Sequence, residues 1–442
     1  MVEIDALTFK YERDEKDIFS SLSLSIKSGE IVLLMAPAGS GKTTLARILT
    51  GGAPKYTDGI ISGKIVIDGK SLLDLDIAER MSLVGRVAQN TDEMILFSTV
   101  EAELSFPLEN LGYSPKEIEE SIDHALTVFE LEKYREVSTT ELSGGEKRRL
   151  MCAILFAVNP SLYILDESFD ELSDRWRRKL CTLIKESGKS VLILGSHPLG
   201  VYEGLYDRVL SLDKGTIVEY ESKPVVFPHF QMHLEERKLE AKDLRVLRPH
   251  RSIADTHPFS LDIPYFSLEK GDLHLLMGDN GTGKSTLSKV LCGLLKENQG
   301  SVLIDGKRTS ERERRSRAAY LMQNPFEQLF LPTVYDELKS TEAGEDDIEK
   351  ALSLFGLEKD MYISEISYGR AKLTQAAVFY LLDREYVILD ELDSAISYID
   401  SVKVVRAFLE KGSGVLSITH DEYFASLLGA KRSYIKDGTL CR

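Results

Sequence analysis

One phosphate-cradling pattern occurs twice in this chain, and it dictates a strand, a tight glycine turn and a helix at two places. The segment GDNGTGKS at 278–285 is a full match to G-x-x-x-x-G-K-[ST], and APAGSGKT at 36–43 repeats it with Ala36 in place of the opening glycine. Both copies follow an apolar run, IVLLM at 31–35 and LHLLM at 273–277, and both precede helix-like sequence. In such a loop, backbone N–H groups point at phosphate oxygens, the Lys reaches the β/γ-phosphates and the Ser or Thr hydroxyl meets Mg²⁺. Glycine serves where the backbone turns with no room for a Cβ. The nucleotide-binding candidates are therefore Gly278, Asn280, Gly281, Thr282, Gly283, Lys284, Ser285 and Thr286 in the second copy. In the first they are Ala36, Gly39, Ser40, Gly41, Lys42, Thr43 and Thr44.

The duplication reaches far beyond the loops. Lys42 and Lys284, Gln89 and Gln323, Asp166–Glu167 and Asp390–Glu391, His197 and His420 recur in the same order, at separations that shrink from 242 to 223 residues. That is a tandem repeat of a domain of about 220 residues rather than a short-period solenoid. The boundaries it implies are 1–222 for the first domain, 223–238 for a linker and 239–442 for the second domain. Two prolines and a charge-rich stretch between ESKPVVFPHF and QMHLEERKLE mark the junction.

Composition narrows the class. With 43% hydrophobic and 29% charged residues, 442 residues suffice for two sizeable cores. No apolar run approaches the ~20 residues of a membrane span, and MVEIDALTFKYERDEK does not read as a signal peptide. A net charge of −16 argues against a protein whose main task is gripping nucleic acid. The densest basic run, KRTSERERRSR at 307–317, contains Glu311 and Glu313 and reads as a solvated face. The four cysteines form no C-x-x-C pair and are expected to be buried free thiols.

Within each half, two further strands carry chemistry. LYILDE at 162–167 and YVILDE at 386–391 are short apolar runs ending in two acids, the pattern of buried parallel strands whose C-terminal ends gather ligands. Asp166 and Asp390 suit Mg²⁺ held through water, and Glu167 and Glu391 suit orientation or deprotonation of the attacking water. His197 closes VLILGSH and His420 closes VLSITH. A lone His in such a place is more often structural, but the identical placement in both halves favours a γ-phosphate contact. Gln89 and Gln323 follow strand-like segments, within reach of Mg²⁺ and the lytic water. LSGGE at 142–146 precedes a helix, whose free N–H groups and dipole favour phosphate; its counterpart ISYGR at 366–370 has Tyr368 for a glycine and Arg370 for the acid.

Taken together, this ordered set resembles a tandem ATP-binding cassette (ABC) ATPase over nearly the whole chain. The resemblance implies an α/β fold of two P-loop NTPase domains. Each would have a RecA-like α/β core, an N-terminal antiparallel β subdomain and a helical subdomain, at about 90–160 and about 324–380. It also implies a head-to-tail arrangement in which each ATP lies between the P-loop of one half and the signature of the other. Closure on ATP and reopening after hydrolysis would then drive motion in a partner. One site would combine Lys284, Ser285, Gln323, Asp390, Glu391 and His420 with Ser143, Gly144 and Gly145. The other would combine Lys42, Thr43, Gln89, Asp166, Glu167 and His197 with Ser367 and Gly369. Mg²⁺ would be held through Ser285, Gln323 and Asp390, and through Thr43, Gln89 and Asp166.

The chain departs from the family pattern at several points. Ala36 and Ala38 replace a Gly and an Asn, and Ser173 and Ser397 stand where an acid usually follows the Glu. The adenine-stacking aromatic matches Tyr11 in the first half but Arg248 in the second. Just after each Gln, QNTDEMILFSTVEAELSF and QNPFEQLFLPTVYDEL resemble the energy-coupling factor (ECF) and cobalt-type importers. In those systems a scaffold (T-type) membrane subunit inserts short helices there, and a substrate-binding (S-type) subunit selects a vitamin or transition-metal ion. Met94, Ile95, Leu96 and Phe97, with Leu329, Phe330 and Leu331, would line the groove; the simpler alternative is that they pack the helical subdomain. The resemblance thus implies a peripheral ATPase at the cytoplasmic face of the membrane, using ATP and Mg²⁺. The competing class is a soluble tandem ABC ATPase acting on ribosomes or nucleic acid. The chain lacks that class's long charged linker and its iron–sulfur or zinc cysteines.

Overall fold

The computed structural model describes residues 1–12, 16–36, 39–92, 94–169, 172, 174–195, 202, 204–220, 237–248, 259–279, 281–436 and 438–441. The described residues divide into two compact units, one up to residue 220 and one from residue 237. Most of the 223–238 linker lies outside the described residues. Lys238, its last residue, opens the first strand of the second unit.

In the first unit the fully apolar runs form central strands, because a strand covered on both faces excludes polar side chains. Ile31–Met35, Leu162–Asp166 and Ser190–Gly195 are buried along their whole length. They belong to a six-stranded sheet ordered Thr216–Glu219, Arg208–Asp213, Ile31–Met35, Ser190–Gly195, Leu162–Asp166, Val84–Val87. All neighbours in it run parallel except the first pair. A separate four-stranded antiparallel sheet holds Val2–Tyr11 between Phe19–Ile26 and Gly59–Ile67. The alternating apolar side of Val2–Tyr11 packs, with helix Lys42–Thr50, against one face of the parallel sheet.

The other face is covered by the helical segment. Thr99 caps Val100–Asn110, and Ser114 with Glu117 forms a capping box for Pro115–Phe129, where Pro115 stands at the helix start, a position that needs no N–H. Ile122, Ala125, Leu126 and Phe129, spaced at helical intervals, bury one side of that helix. Ser143 caps the third helix, Gly144–Val158.

The second unit repeats the scheme with one difference. Its strands form a single ten-stranded sheet, since Asp262 in the antiparallel part pairs with Thr439 next to the parallel part. In the first unit the corresponding link is one 3.4 Å bond from Ser20 N–H to the Gly215 carbonyl. Leu273–Met277, Gly414–Ile418, Tyr386–Asp390 and Ala318–Leu321 run parallel, and Val334–Lys339, Glu345–Phe355 and Tyr368–Leu382 form the helical segment.

Three expectations change. Cys152 and Cys292 are buried, but Cys181 is half-buried and Cys441, the last residue of the strand Thr439–Cys441, is exposed. Within the basic run, Arg314 is fully buried and pairs with Glu297 at 2.8 Å, while Arg317 bridges Asp305 and Glu385. That part of the run is a buttress rather than a solvated face. Leu329 belongs to the core, and Met94 and Ile95 pack partly against theirs, so of the proposed groove only Leu96 and Phe330 are largely presented to solvent, with Leu331 38% exposed. Among the described residues, no helix is long and apolar enough to cross a membrane.

Candidate functional site

Each P-loop sits between a central strand and a helix, so its backbone N–H groups converge at the helix start. In the second unit Gly278 has φ 142°, and a Cβ there would lie 2.4 Å from the Ile435 carbonyl, so only glycine fits. Ala36, at the equivalent place, is not among the described non-glycine residues with left-handed backbone, and its N–H bonds Gly195 at 2.9 Å. The two loops therefore begin along different paths. Both end alike, with Gly41 (φ 101°) and Gly283 (φ 113°) pressed against aromatic and aliphatic side chains that leave no space for a Cβ. Gly39, Gly281, Thr282, Ser40 and Thr44 lie in or beside these loops. Asn280, Ala38, Ser173 and His197 lie outside the described residues, as does the side chain of Arg248.

Around the second loop the singled-out residues come together. Lys284 is buried and donates to the carbonyls of Gly278 and Asp279 at 2.7 and 2.9 Å. Burial pushes its amine below the usual range, against the pull of Glu391 and Asp390. Gln323 donates to Glu391 at 2.8 Å, and His420 Nδ1 lies 3.5 Å from the other Glu391 oxygen. Asp390 is held above the ordinary carboxylate range, first by burial and then by Glu391 beside it, while Tyr320, Lys372 and Ser285 oppose the shift. The Tyr320 hydroxyl donates to Asp390.

Around the first loop the same elements make different bonds. Lys42 donates to the Ala36 carbonyl at 2.6 Å and pairs with Glu167 at 3.0 Å. Gln89 donates to Glu167 at 2.5 Å. Asp166 forms an ion pair with Arg86 at 2.7 Å. Tyr11 packs edge-on against Phe9, and its hydroxyl lies 3.1 Å from Thr44. Glu167 and Glu391 both adopt left-handed backbone, at φ 49° and 47°. Such φ values are uncommon for residues other than glycine and concentrate at sites the surrounding structure over-determines.

A hard divalent cation fits the donors of the second unit: Ser285, Gln323 and Asp390 supply a hydroxyl, an amide oxygen and a carboxylate. Among the described residues no three His, Cys, Asp or Glu form a metal cage. Mg²⁺ needs none, since it keeps waters and takes one or two carboxylates besides phosphates. In the first unit Thr43, Gln89 and Asp166 occupy the same elements, with Asp166 already neutralised by Arg86.

The two signature helices also differ. Ser143 donates to Glu146 at 2.7 Å and accepts the Glu146 N–H, leaving Gly144 exposed at the helix start. Burial would raise Glu146, but bonds from Tyr134 and Ser143 outweigh it and hold the carboxylate below its ordinary range. In the second unit Ser367 caps Arg370, Gly369 is buried, and the Tyr368 hydroxyl turns to the Gln323 carbonyl.

Sequence reasoning passed over a buried cation in each unit. Arg148 donates to the carbonyls of Ala88 and Gln89, and Lys372 to those of Met322, Gln323 and Asp390. Each clamps the loop of its Gln; burial lowers the Lys372 amine to about 8. The signal was a basic residue five positions after each signature serine, on a helix face that is otherwise apolar or small apart from Gln375 in the second unit.

Comparison with known proteins agrees with this architecture. The family model described as ABC transporter matches residues 19–170 and again 261–394. A putative ABC transporter ATP-binding protein of Treponema denticola is 28% identical over 100% of this chain and 96% of its own length. A putative HMP/thiamine import ATP-binding protein of Bacillus subtilis is 31% identical over 95% of this chain and 87% of its own. Among solved structures, the archaeal ribosome recycling factor seen with a ribosomal stalk protein shares the fold at TM-score 0.62 and 18% identity, covering 98% of this chain and 89% of the factor. With the family's nucleotide-binding domain matched in both halves and its loop, acid pair and signature helix built in each, the chain belongs to the ABC transporter family as a tandem, ATP-hydrolysing ABC ATPase.

Proposed function

We propose that the chain is the ATPase subunit of an ECF-type importer, with two unequal MgATP sites. It would couple ATP binding and hydrolysis to uptake of a vitamin or transition-metal ion through separate T-type and S-type membrane subunits. In this role it works peripherally at the cytoplasmic face, with no nucleic-acid partner.

The observation that carries the importer reading is a matched pair of outward apolar side chains. Leu96 and Phe330 stand seven residues after Gln89 and Gln323 and are 71% and 80% exposed. Solvent exposure of such side chains at the same place in both repeats suits a helix laid into the surface. Their backbone is fixed. Buried Glu103 accepts the N–H groups of Leu96 and Phe97 at 2.9 and 2.7 Å, and buried Glu337 accepts those of Phe330 and Leu331. The Bacillus subtilis relative, named as an import protein, supports the same reading.

In the proposed chemistry, Lys284 and the loop N–H groups bind the phosphates, Glu391 polarises the attacking water, and Gln323 and His420 orient water and γ-phosphate. Bound through Ser285, Gln323 and Asp390, Mg²⁺ would neutralise charge on the phosphate oxygens. Ser143, Gly144 and Gly145 would complete this site. The weaker site would use Lys42, Thr43, Gln89, Asp166 and Glu167 with Ser367 and Gly369.

Co-expression with T-type and S-type membrane subunits tests the reading. Leu96→Glu with Phe330→Glu should abolish assembly while ATP binding persists. Full assembly of the double variant, or sedimentation of the wild type with ribosomes and never with membrane subunits, would contradict it.

A further inference from the structure

Arg86 and Tyr320 occupy one position of the repeated fold. Arg86 pairs in parallel register with Ile164 and Tyr320 with Ile388, each two residues before the metal-facing Asp. From that position Arg86 places a guanidinium 2.7 Å from Asp166, whose side chain is 1% exposed. Tyr320 offers Asp390 only a neutral hydroxyl. At this position the first pocket thus carries one positive charge that the second lacks, and its metal-facing acid already has a permanent counter-ion.

We propose that Arg86 makes the first site retain nucleotide with little dependence on Mg²⁺, whereas the second site, with Tyr320, requires the cation for tight binding. The inference rests on the assignment of Lys42 and Lys284 to two ATP sites. A triphosphate brought to the second pocket meets two carboxylates whose repulsion a divalent cation must offset; at the first, the Arg86 charge offsets part of it at close range in a poorly solvated place. The arginine also competes with any cation for Asp166, so the same bond that frees binding from Mg²⁺ weakens the grip on the metal.

The full chain is titrated with a fluorescent ATP analogue in excess MgCl₂ and in EDTA, with Lys284→Ala reporting the first site and Lys42→Ala the second. The first site should lose less than about tenfold in affinity without Mg²⁺ and the second about a hundredfold or more. Arg86→Tyr, in the Lys284→Ala background, should bring the first site close to the second. Tyr320→Arg, in the Lys42→Ala background, should move the second toward the first. If circular dichroism shows that Arg86→Tyr does not fold, Arg86→Lys, which keeps the charge, should preserve the weak dependence, and Tyr320→Arg carries the converse test. Equal Mg²⁺ dependence at the two sites overturns the inference while leaving the binding sites standing. No analogue binding to the wild type in MgCl₂ overturns the assignment of the sites themselves.

Discussion

The Tyr368 hydroxyl donates a 2.6 Å hydrogen bond to the main-chain carbonyl of Gln323, tying the residue that replaces a signature glycine to the glutamine loop of its own unit. Its ring also meets Phe326 edge-on at 6.2 Å. The altered signature is therefore not an empty defect but a packed contact.

Tyr368→Phe should remove that bond and keep the ring contact. A net hydrogen bond contributes about 1 kcal/mol, which in a unit of this size lowers the melting temperature by about 2–4 °C. Calorimetry on the full chain checks it, and an unchanged transition would show the bond to be worth nothing.

Glu103 and Glu337 hold their loops by accepting backbone N–H groups from a buried position. Glu337→Ala should orphan those donors, costing about 1–3 kcal/mol, and release Phe330. Association with membrane subunits should fall while ATP affinity stays within about twofold. Equal losses in both would mean that the loop serves the core rather than a partner.

Burial raises the Asp393 carboxyl from its ordinary 3.8 to about 7, against a 2.6 Å bond from Thr419. Between those values the folded protein keeps a proton that the unfolded chain has released. The stability this group contributes is full below about pH 4 and is lost as pH rises through about 7. Asp393→Asn cannot ionise, so relative to wild type it should gain about 1–3 kcal/mol between pH 5 and pH 8 in urea unfolding. A constant difference across that window would contradict the assignment.

The parts of the fold with strong local signals were legible in the sequence. The apolar runs ending in Asp166 and Asp390 became buried parallel strands, and the glycines before Lys42 and Lys284 took the left-handed turns that the loop demands. What the sequence left hidden depends on neighbours brought in from afar. Nothing local shows that Arg86 meets Asp166, eighty residues on, because that pairing arises only when two parallel strands align. The same holds for Arg148 and Lys372, whose partners are carbonyls of a distant loop. The resemblance after Gln323 places Leu329 in one groove with Phe330 and Leu331, and only packing separates it from them.

Lys284→Ala should reduce steady-state ATP hydrolysis more than Lys42→Ala, by about tenfold or more against a smaller loss. The pocket of Lys284 has the regular loop and is proposed to face LSGGE. Equal losses would contradict the inequality of the sites.

Single-turnover hydrolysis by Glu391→Gln and Glu167→Gln tests the unequal-site account most directly. Glutamine keeps the size and the hydrogen bond to Gln323 or Gln89 but removes the charge that polarises water. ATP should still bind both variants, Glu391→Gln should lose about 10²-fold or more in turnover, and Glu167→Gln should lose clearly less. A larger loss from Glu167→Gln would place the working chemistry at the altered site and contradict the account.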